Sequence, residues 1–532
     1  MKTVIIGGVA AGTKVGAKLK RENPNDDVVI YTKLSDISYA GCGLPYYVGG
    51  DIVTKGDLIV NTPQKFTDLT GVKVNVNSEV TSIDEKAHNI IVNGESVCYD
   101  NLVIAVGAEP IVPPFEGVKL DGVFTLRTPD DAIKMREYAK QCKKAVVVGG
   151  GFIGLEVAEN LMKKGIEVTV IDMAKQLMPN IFDIDMADFI ARKLVKTGLD
   201  IKLDTGLNTI NGTKKVESVS TTDGDIITDM VVLSVGVRPA TKWLENSSIA
   251  MERGLILTDE YARTNVKNIY AVGDCAMVKN YITSNNQWSA MGSTANIVGR
   301  VAALNISNNT TQYKGCLGTG VVKLSDRLNA SRTGLTKKQA VENGYDTISV
   351  TVVTDDKAHY YPNSSEFITK IIAKKDTHEL LGIQVIGSGS VDKMVDIAVV
   401  GITAKLRLED FSIMDFAYAP PFSTAIHPFV TACNVALNKI SGRLNSFTPD
   451  EFLDGKTKDY TIIDVNPEPS IDGAIWVDFN ELDEFSKLHK KDEKLLLVCT
   501  RGKKAYLTQN RLKALGFYNT AVLEGGITVN KM

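Results

Sequence analysis

One cysteine, Cys42, stands between Gly41 and Gly43 in the stretch Ser38-Tyr39-Ala40-Gly41-Cys42-Gly43-Leu44-Pro45-Tyr46-Tyr47. The flanking glycines leave its sulfur uncrowded, and a turn entering a helix is expected to lower the thiol pKa, because helix N-terminal amides favour the thiolate. A buried structural cysteine is the plain alternative. A second cysteine, Cys499, ends the apolar run Leu495-Leu496-Leu497-Val498 and opens Cys499-Thr500-Arg501-Gly502-Lys503-Lys504, a cationic loop ahead of a helix expected over Ala505 to Ala514. The seven cysteines are scattered with no C-x-x-C, which indicates neither a zinc site nor a disulfide framework. Free thiols point to a reducing compartment, and the chemistry expected of them needs no metal.

Two glycine-rich stretches could hold phosphates. Val4-Ile5-Ile6 reads as a buried strand, followed by Gly7-Gly8-Val9-Ala10-Ala11-Gly12 and a helix to about Glu22, a dinucleotide fingerprint with Val9 at the middle glycine position. The next strand, Val28 to Tyr31, ends at Thr32, whose hydroxyl bonds a ribose more weakly than the usual carboxylate. Ala145 to Val148 leads into Gly149-Gly150-Gly151-Phe152-Ile153-Gly154, a complete G-x-G-x-x-G, with Asp172 placed 23 residues after Gly149. The Asp172 carboxylate is expected to accept from both ribose hydroxyls and to repel a 2′-phosphate, so NADH is expected over NADPH, with NADPH left open. The first glycines of the two stretches lie 142 residues apart, and two nucleotide sites suggest hydride passing from one cofactor to another. A strand followed by a Gly/Pro turn is expected over Asp100 to Pro110, including Gly107, and a strand with a Gly-Asp turn over Asn268 to Asp274, including Gly273. On the first helix Lys14, Lys18 and Arg21 share one face, for which a solvated stripe is the bland reading.

These pieces need a large scaffold. At 532 residues the chain has room for three to five domains. Apolar residues make up 44% and charged residues 23%, a globular balance, and 63 acidic against 60 basic residues give no reason to expect nucleic acid or a membrane surface as partner. Met1-Lys2-Thr3 runs directly into the first strand, leaving no room for a signal peptide, and no apolar run would span a bilayer, so the cytoplasm is expected. Beyond about Gly318 strands are expected over Ser349 to Thr354, Phe367 to Ala373 and Leu380 to Ile386. Asn445 to about Asp459 reads as a polar joint before a small α/β unit.

The Cys42 segment resembles that of coenzyme A disulfide reductases, single-cysteine members of the flavin-dependent pyridine nucleotide disulfide oxidoreductases. The resemblance covers about residues 1 to 440, and the remainder resembles a rhodanese domain. It implies an α/β fold with two Rossmann-like dinucleotide-binding domains, an α+β dimerisation domain and a C-terminal rhodanese-like α/β domain. The implied boundaries are 1–112 with 245–317 for FAD, 113–244 for NAD(P)H, 318–440 for dimerisation and 446–532 for the rhodanese-like part. FAD would be held by Gly7, Gly8, Ala10, Ala11, Gly12, Thr32, Gly107, Gly273 and Asp274, the last on the ribityl chain. Gly149, Gly151, Gly154 and Asp172 would hold the nicotinamide dinucleotide.

Relatives with a cysteine pair carry the second thiol where this chain has Tyr47, and the family's usual asparagine before the cysteine is Gly41 here. Coenzyme A would lie with Ser38 and Gly41, its phosphates on Lys14, Lys18 and Arg21. Tyr418 and Tyr361, with Tyr360 open, would serve the opposite subunit of a homodimer. His427 is a candidate base, although its orienting glutamate is replaced by Ala432. Cys499 would accept sulfane sulfur, its loop amides stabilising the persulfide anion. Asn466 replaces the usual arginine and the segment from Val465 to Gly473 is short, so a degenerate domain without catalysis stays open. The implied activity is reduction by NAD(P)H of coenzyme A disulfide, coenzyme A persulfide or polysulfide. The alternatives are an NADH oxidase or peroxidase cycling Cys42 through sulfenic acid, and a redox- or sulfur-sensing protein.

Overall fold

Val4, Ile5 and Ile6 are buried on both faces, as an apolar run without alternation predicts, and their strand Lys2–Ile6 is the centre of a parallel sheet. The computed structural model describes residues 1–532, which divide into two compact units, Met1–Met173 with Leu199–Cys316, and Ala174–Gly198 with Leu317–Met532. In the first unit the sheet runs Ile269–Ala271, Asn101–Ile104, Lys2–Ile6, Asp27–Tyr31, Lys73–Asn75. Pairing is parallel throughout, with Ile5 opposite both Ile30 and Val103. Ile5 faces the core that includes Val15, Leu19 and Val298, whereas Val4 and Ile6 face a second core with Leu102, Ile104 and Ile269. Successive side chains of a strand point to opposite faces, so burial of both needs cover on each side.

The same plan recurs in Asp200–Lys202, Glu167–Ile171, Lys144–Val148, Met230–Leu233, Val123–Phe124, again parallel. Each of the two sheets is accompanied by a three-stranded antiparallel meander, Val80–Cys98 and Leu207–Ile227.

The second unit contains an antiparallel sheet, Gly320–Ser325, Leu328–Gly334, Leu380–Gly387, Glu366–Lys374, Thr347–Asp355. It also contains a parallel sheet, Ser446–Phe447, Thr520–Leu523, Leu495–Val498, Thr461–Asp464, Ile475–Trp476. The expected strands are present within a residue or two. The expected joint is not. Ser446–Phe447 is an edge strand on Val522–Leu523, and Pro449–Leu453 is a helix started by Thr448 in a capping box with Glu451. Its polar residues are a cap and ion-pair partners, which composition alone reads as solvent-facing.

One of those partners reaches a buried cation. Lys370, on the strand Glu366–Lys374 between Leu380–Gly387 and Thr347–Asp355, is fully buried, with Nζ 2.8 and 2.9 Å from the two Asp185 oxygens, 3.5 Å from Asp183 and 3.4 Å from Asp450. Lys337 joins Asp450 at 2.7 Å. Burial works against the lysine charge, yet Asp185, Asp183 and Asp450 hold it protonated beyond the ordinary lysine range. Burial pushes the Asp185 carboxyl up and Lys370 opposes it. Asp183 and Asp185 belong to the stretch Ala174–Gly198, which packs with the second unit although it follows the second nucleotide strand in sequence. Removing one member of a buried pair leaves an uncompensated charge costing about 3–5 kcal/mol. Lys370→Met is therefore expected to lower the melting temperature sharply, and Lys370→Met with Asp185→Leu to recover much of the loss; a single variant that melts like the wild type contradicts this reading of the cluster.

Candidate active site

Cys42 sits in a tight turn, Gly41–Gly43, that leads into the short helix Leu44–Gly49 with Pro45 in its first turn and Gly50 closing it at φ 100°. The turn is tied back to the first glycine loop, since the Ser38 amide donates to the Gly8 carbonyl at 2.9 Å. Tyr47 is buried under the Arg136 guanidinium, 4.5 Å from the ring centroid, so a core aromatic fills the place of a second thiol. Cys42 is in no disulfide, and it is exposed.

The expected depression of its pKa is not found. The packed atoms around the sulfur push the thiol up, the Glu156 and Asp274 carboxylates add to this, and Arg127 opposes them. No backbone amide is among the groups that act on the sulfur, and Arg127 alone lowers its pKa. Arg127 pairs with Asp274 at 3.1 Å, and the Asp274 carbonyl accepts from Trp288 Nε1 at 2.9 Å. Glu156 accepts from the Tyr46 hydroxyl at 3.1 Å; burial pushes its carboxyl up to about 7, with Glu159 adding to the shift against the Tyr46 bond. Arg127 and Glu156 belong to no local motif, and Tyr46, although part of the cysteine stretch, carries no local sign of its partner. They meet the site through contacts 147 and 110 residues apart.

The two glycine loops have the same geometry. Gly7 has φ +111° and Gly149 φ +110°, and a Cβ on either would fall 2.2 or 2.3 Å from a carbonyl oxygen of the neighbouring strand's end, Ala105 or Ser234. A Cβ on Gly12 would lie 1.9 Å from the Gly7 oxygen and one on Gly154 2.0 Å from the Gly149 oxygen. Glycine is obligatory at these four positions. Val9, at φ −102° and ψ −131°, is not held at the positive φ that makes glycine necessary at Gly7 and Gly149. The helices Ala10–Glu22 and Phe152–Met162 both start without a side-chain cap, leaving first-turn amides available to a pyrophosphate at Gly8, Ala10 and Ala11 and around Gly151. These cradles fit two dinucleotides. The Asp172 carboxylate is fixed by the Gly150 amide at 2.7 Å, next to a cavity of about 500 Å³ lined by Ile201 to Thr205, Thr222 and Asp223. Thr32 is buried, with its oxygen accepting weakly from the Leu34 amide at 3.4 Å, and its proton is left to donate. Gly107, at φ +70°, lies against the Arg127 guanidinium. Gly273 and Asp274 form the turn Gly273–Cys275.

On the Ala10–Glu22 helix Lys18 is held by Glu22, whereas Lys14 packs its stem over Gly299 and Arg21 is exposed. Two of the three expected cations therefore keep their charge unmatched.

The remaining expected residues belong to the second unit. Tyr418 is half-exposed and hydrogen-bonded to Tyr360, which raises its pKa; Tyr361 stands beside them, partly exposed. The structure thus pairs Tyr418 with Tyr360 rather than Tyr361. His427 is buried, its Nδ1 accepts from the Phe429 amide at 3.2 Å as the cap of helix Pro428–Ile440, and its ring stacks on Phe416 at 4.8 Å. Burial, helped by Lys393, pulls its pKa down to about 4. Nδ1 is thus engaged in starting the helix, and Nε2 is the ring nitrogen not used by that cap.

Cys499 is buried, and its sulfur accepts from the Gly502 and Ala505 amides at 3.1 and 3.4 Å. Gly502, at φ +94°, begins the helix Lys503–Ala514. Arg501 turns away from the sulfur to Asp355 at 2.8 Å and Glu366 at 2.9 Å, opposite residues at the end of the Thr347–Asp355 and Glu366–Lys374 pair.

Residues 1–296 match the family described as pyridine nucleotide-disulphide oxidoreductase. The chain belongs to the pyridine nucleotide-disulphide oxidoreductases. The dimerisation domain of that family matches residues 325–429, and a rhodanese-like domain matches 448–530. Among relatives of this oxidoreductase, an NAD(P)H coenzyme A polysulfide/persulfide reductase of Pyrococcus horikoshii is 35% identical over 439 residues, 82% of this chain and 98% of the relative. An NADH oxidase of Methanocaldococcus jannaschii is 34% identical over 451 residues, 83% of this chain and 100% of the relative. Among solved structures, a NAD-dependent persulfide reductase from A. fulgidus is 32% identical with a TM-score of 0.94, covering 99% of this chain and 100% of that one. No helix of this oxidoreductase is long and apolar enough to cross a membrane.

The thiol environment is open to measurement. The pH profile of Cys42 alkylation is expected to have its midpoint above that of an ordinary thiol. Glu156→Gln, which removes one of the two carboxylates, shifts it down, and Arg127→Met shifts it up; a midpoint that moves with neither substitution shows that the three charges do not act on the sulfur.

Proposed function

We propose that this chain is a flavoenzyme that uses NADH to reduce a coenzyme A disulfide, a coenzyme A persulfide or polysulfide at Cys42, and that its C-terminal domain handles sulfane sulfur at Cys499. What carries the reading is one exposed thiol, with Tyr47 packed where a second would stand, in a unit holding two dinucleotide cradles of matching geometry. FAD, when bound, would relay reducing equivalents from the nicotinamide to a disulfide on Cys42. It would lie with residues 1–112 and 245–317, on Gly7, Gly8, Ala10, Ala11, Gly12, Thr32, Gly107, Gly273 and Asp274. NADH would lie within 113–244, on Gly149, Gly151, Gly154 and Asp172, whose fixed carboxylate disfavours a 2′-phosphate.

As thiolate, Cys42 attacks a sulfur of the substrate; a Cys42–S bond forms, the substrate S–S bond breaks, and a thiolate leaves. The leaving thiolate needs a proton, for which Tyr418 with Tyr360 or Tyr361 is the proposed source in a homodimer formed through 318–440. Glu156, with a pKa pushed up to about 7, can hold or release a proton near neutral pH. Residues 446–532 form the proposed sulfur-carrying part. The oxidase reading is the rival, and it differs in the acceptor.

Steady-state NADH oxidation without air, with each sulfur acceptor offered in turn, separates the two. Turnover with coenzyme A disulfide, persulfide or polysulfide is expected, faster with NADH than with NADPH. Cys42→Ser is expected to keep bound flavin and its reduction by NADH and to lose turnover by about a thousandfold or more. Turnover with oxygen alone, or a Cys42→Ser variant that still reduces every sulfur acceptor, removes the assignment.

Charged contacts to phosphate are worth about 1.5–3 kcal/mol unscreened and less when exposed. Lys14→Ala with Arg21→Ala is therefore expected to raise KM for coenzyme A substrates roughly tenfold while sparing polysulfide, which has no nucleotide. Equal effects on both make these cations an ordinary solvated face.

A further inference from the structure

Asn466 stands where rhodanese domains usually carry arginine, and by sequence it counted as a fault. In the structure it is buried and fully bonded. Its Nδ2 donates to Asp464 Oδ1 at 2.8 Å and to Ser470 Oγ at 2.7 Å. Its Oδ1 accepts from the Thr500 amide and from the Thr500 hydroxyl, both at 2.8 Å. The amide orientation is fixed by chemistry, because a backbone N–H can only donate and a carboxylate only accept. Two donors and two acceptor positions are all used, and the Asn466 carbonyl takes Trp476 Nε1 at 3.0 Å.

The two ends of this bridge are themselves firm. Asp464 closes the strand Thr461–Asp464, and its carboxylate also accepts from the Asn466 amide, the Ser470 amide and hydroxyl, and the Ile471 amide, at 2.7 to 3.1 Å. These bonds fold the shortened segment after Val465 into a compact turn. At the other end Thr500 directly follows Cys499. The Cys499 carbonyl accepts from the Ile527 amide at 3.1 Å and the Thr500 carbonyl from the Thr528 amide at 3.0 Å. With Thr500 held from one side by Asn466 and from the other by Ile527 and Thr528, the loop beyond it turns so that the Gly502 and Ala505 amides face the sulfur.

We propose that Asn466 is a positioning residue for sulfur transfer at Cys499, setting the Cys499–Gly502 loop through Thr500 so that two backbone amides meet the sulfur that carries the sulfane. This rests on the sulfur-handling reading of the C-terminal domain and opposes the degenerate one. The step is a transfer without net redox change. The Cys499 thiolate attacks the outer sulfur of an organic persulfide, RS–SH; the bond to that sulfur forms, the RS–S bond breaks, RS⁻ leaves, and Cys499–S–SH keeps the proton. As the new persulfide ionises, its charge falls to the amides at the helix start. A neutral asparagine suits this place because Asp464 is already met by five hydrogen bonds and needs no cation.

The test follows loading of Cys499 by glutathione persulfide in the full-length flavoprotein carrying Cys42→Ser, so that sulfur reaching the tail is not consumed, with the extra sulfur read by mass on the Cys499 peptide. Asn466→Ala is expected to load about tenfold or more slowly at saturating persulfide, with the half-saturating concentration little changed and Trp476 fluorescence retained. Thr500→Val, which removes one neutral hydrogen bond, is expected to load about three- to tenfold more slowly, and Thr500→Ser to load like the parent. If Asn466→Ala loses the Trp476 signal, the Thr500 pair decides alone. Wild-type rates in both Asn466→Ala and Thr500→Val overturn the positioning role. A parent protein that takes up no sulfur at Cys499 overturns the sulfur-handling reading itself.

Discussion

The close approach of two carbonyl oxygens to the Cα atoms of Gly12 and Gly154 is the constraint on which the first unit depends. No side chain fits between Gly7 and Gly12 or between Gly149 and Gly154, so each helix is drawn down onto the end of its central strand and its uncapped amides point outward from the sheet. The cysteine loop is hung from the first of these turns by the bond from Ser38 to Gly8, and Asp172 is hung from the second by the bond to Gly150. Cys42 and the Asp172 carboxylate thus take their places from the same backbone turn, made twice in one chain.

The two cysteines are prepared by opposite means. Cys42 lies open, between two carboxylates and one guanidinium, with its proton held more firmly than an ordinary thiol's. Cys499 lies buried with two backbone amides already aimed at its sulfur. The first site is tuned by ionisable side chains and responds to what binds and to pH. The second is fixed by peptide geometry, which does not titrate.

Local spacing made much of this legible. The G-x-G-x-x-G loops, the acid after the second, the strands and the two cysteine loops follow from rules that act within about twenty residues, and they were read with their boundaries nearly right. What escaped was non-local. The Arg127–Asp274 and Tyr46–Glu156 pairs join residues over a hundred positions apart. The stretch Ala174–Gly198 was drawn into the second unit by Lys370, a lysine that sequence alone assigns to the surface. The apparent joint at Asn445 to Asp459 misled for the same reason, because Thr448, Asp450 and Glu451 spend their polarity inside the protein. His427 shows the converse: a chemically capable side chain with Nδ1 taken by a helix start.

Arg501 ties the C-terminal domain to the antiparallel sheet by charge. It sits in the cysteine loop of the C-terminal domain, yet its charge is matched by Asp355 and Glu366 on the antiparallel sheet, while Asp450 answers Lys370 and Glu524 answers Lys439 at 2.6 Å. A domain joined only by a tether would carry its own counter-ions and could be cut away cleanly. Here three groups of charges have each been divided between the two parts, so neither is electrically complete without the other. Cutting the tail away would leave Asp355 and Glu366 without Arg501, the buried Lys370 without one of its carboxylates, and Lys439 without Glu524.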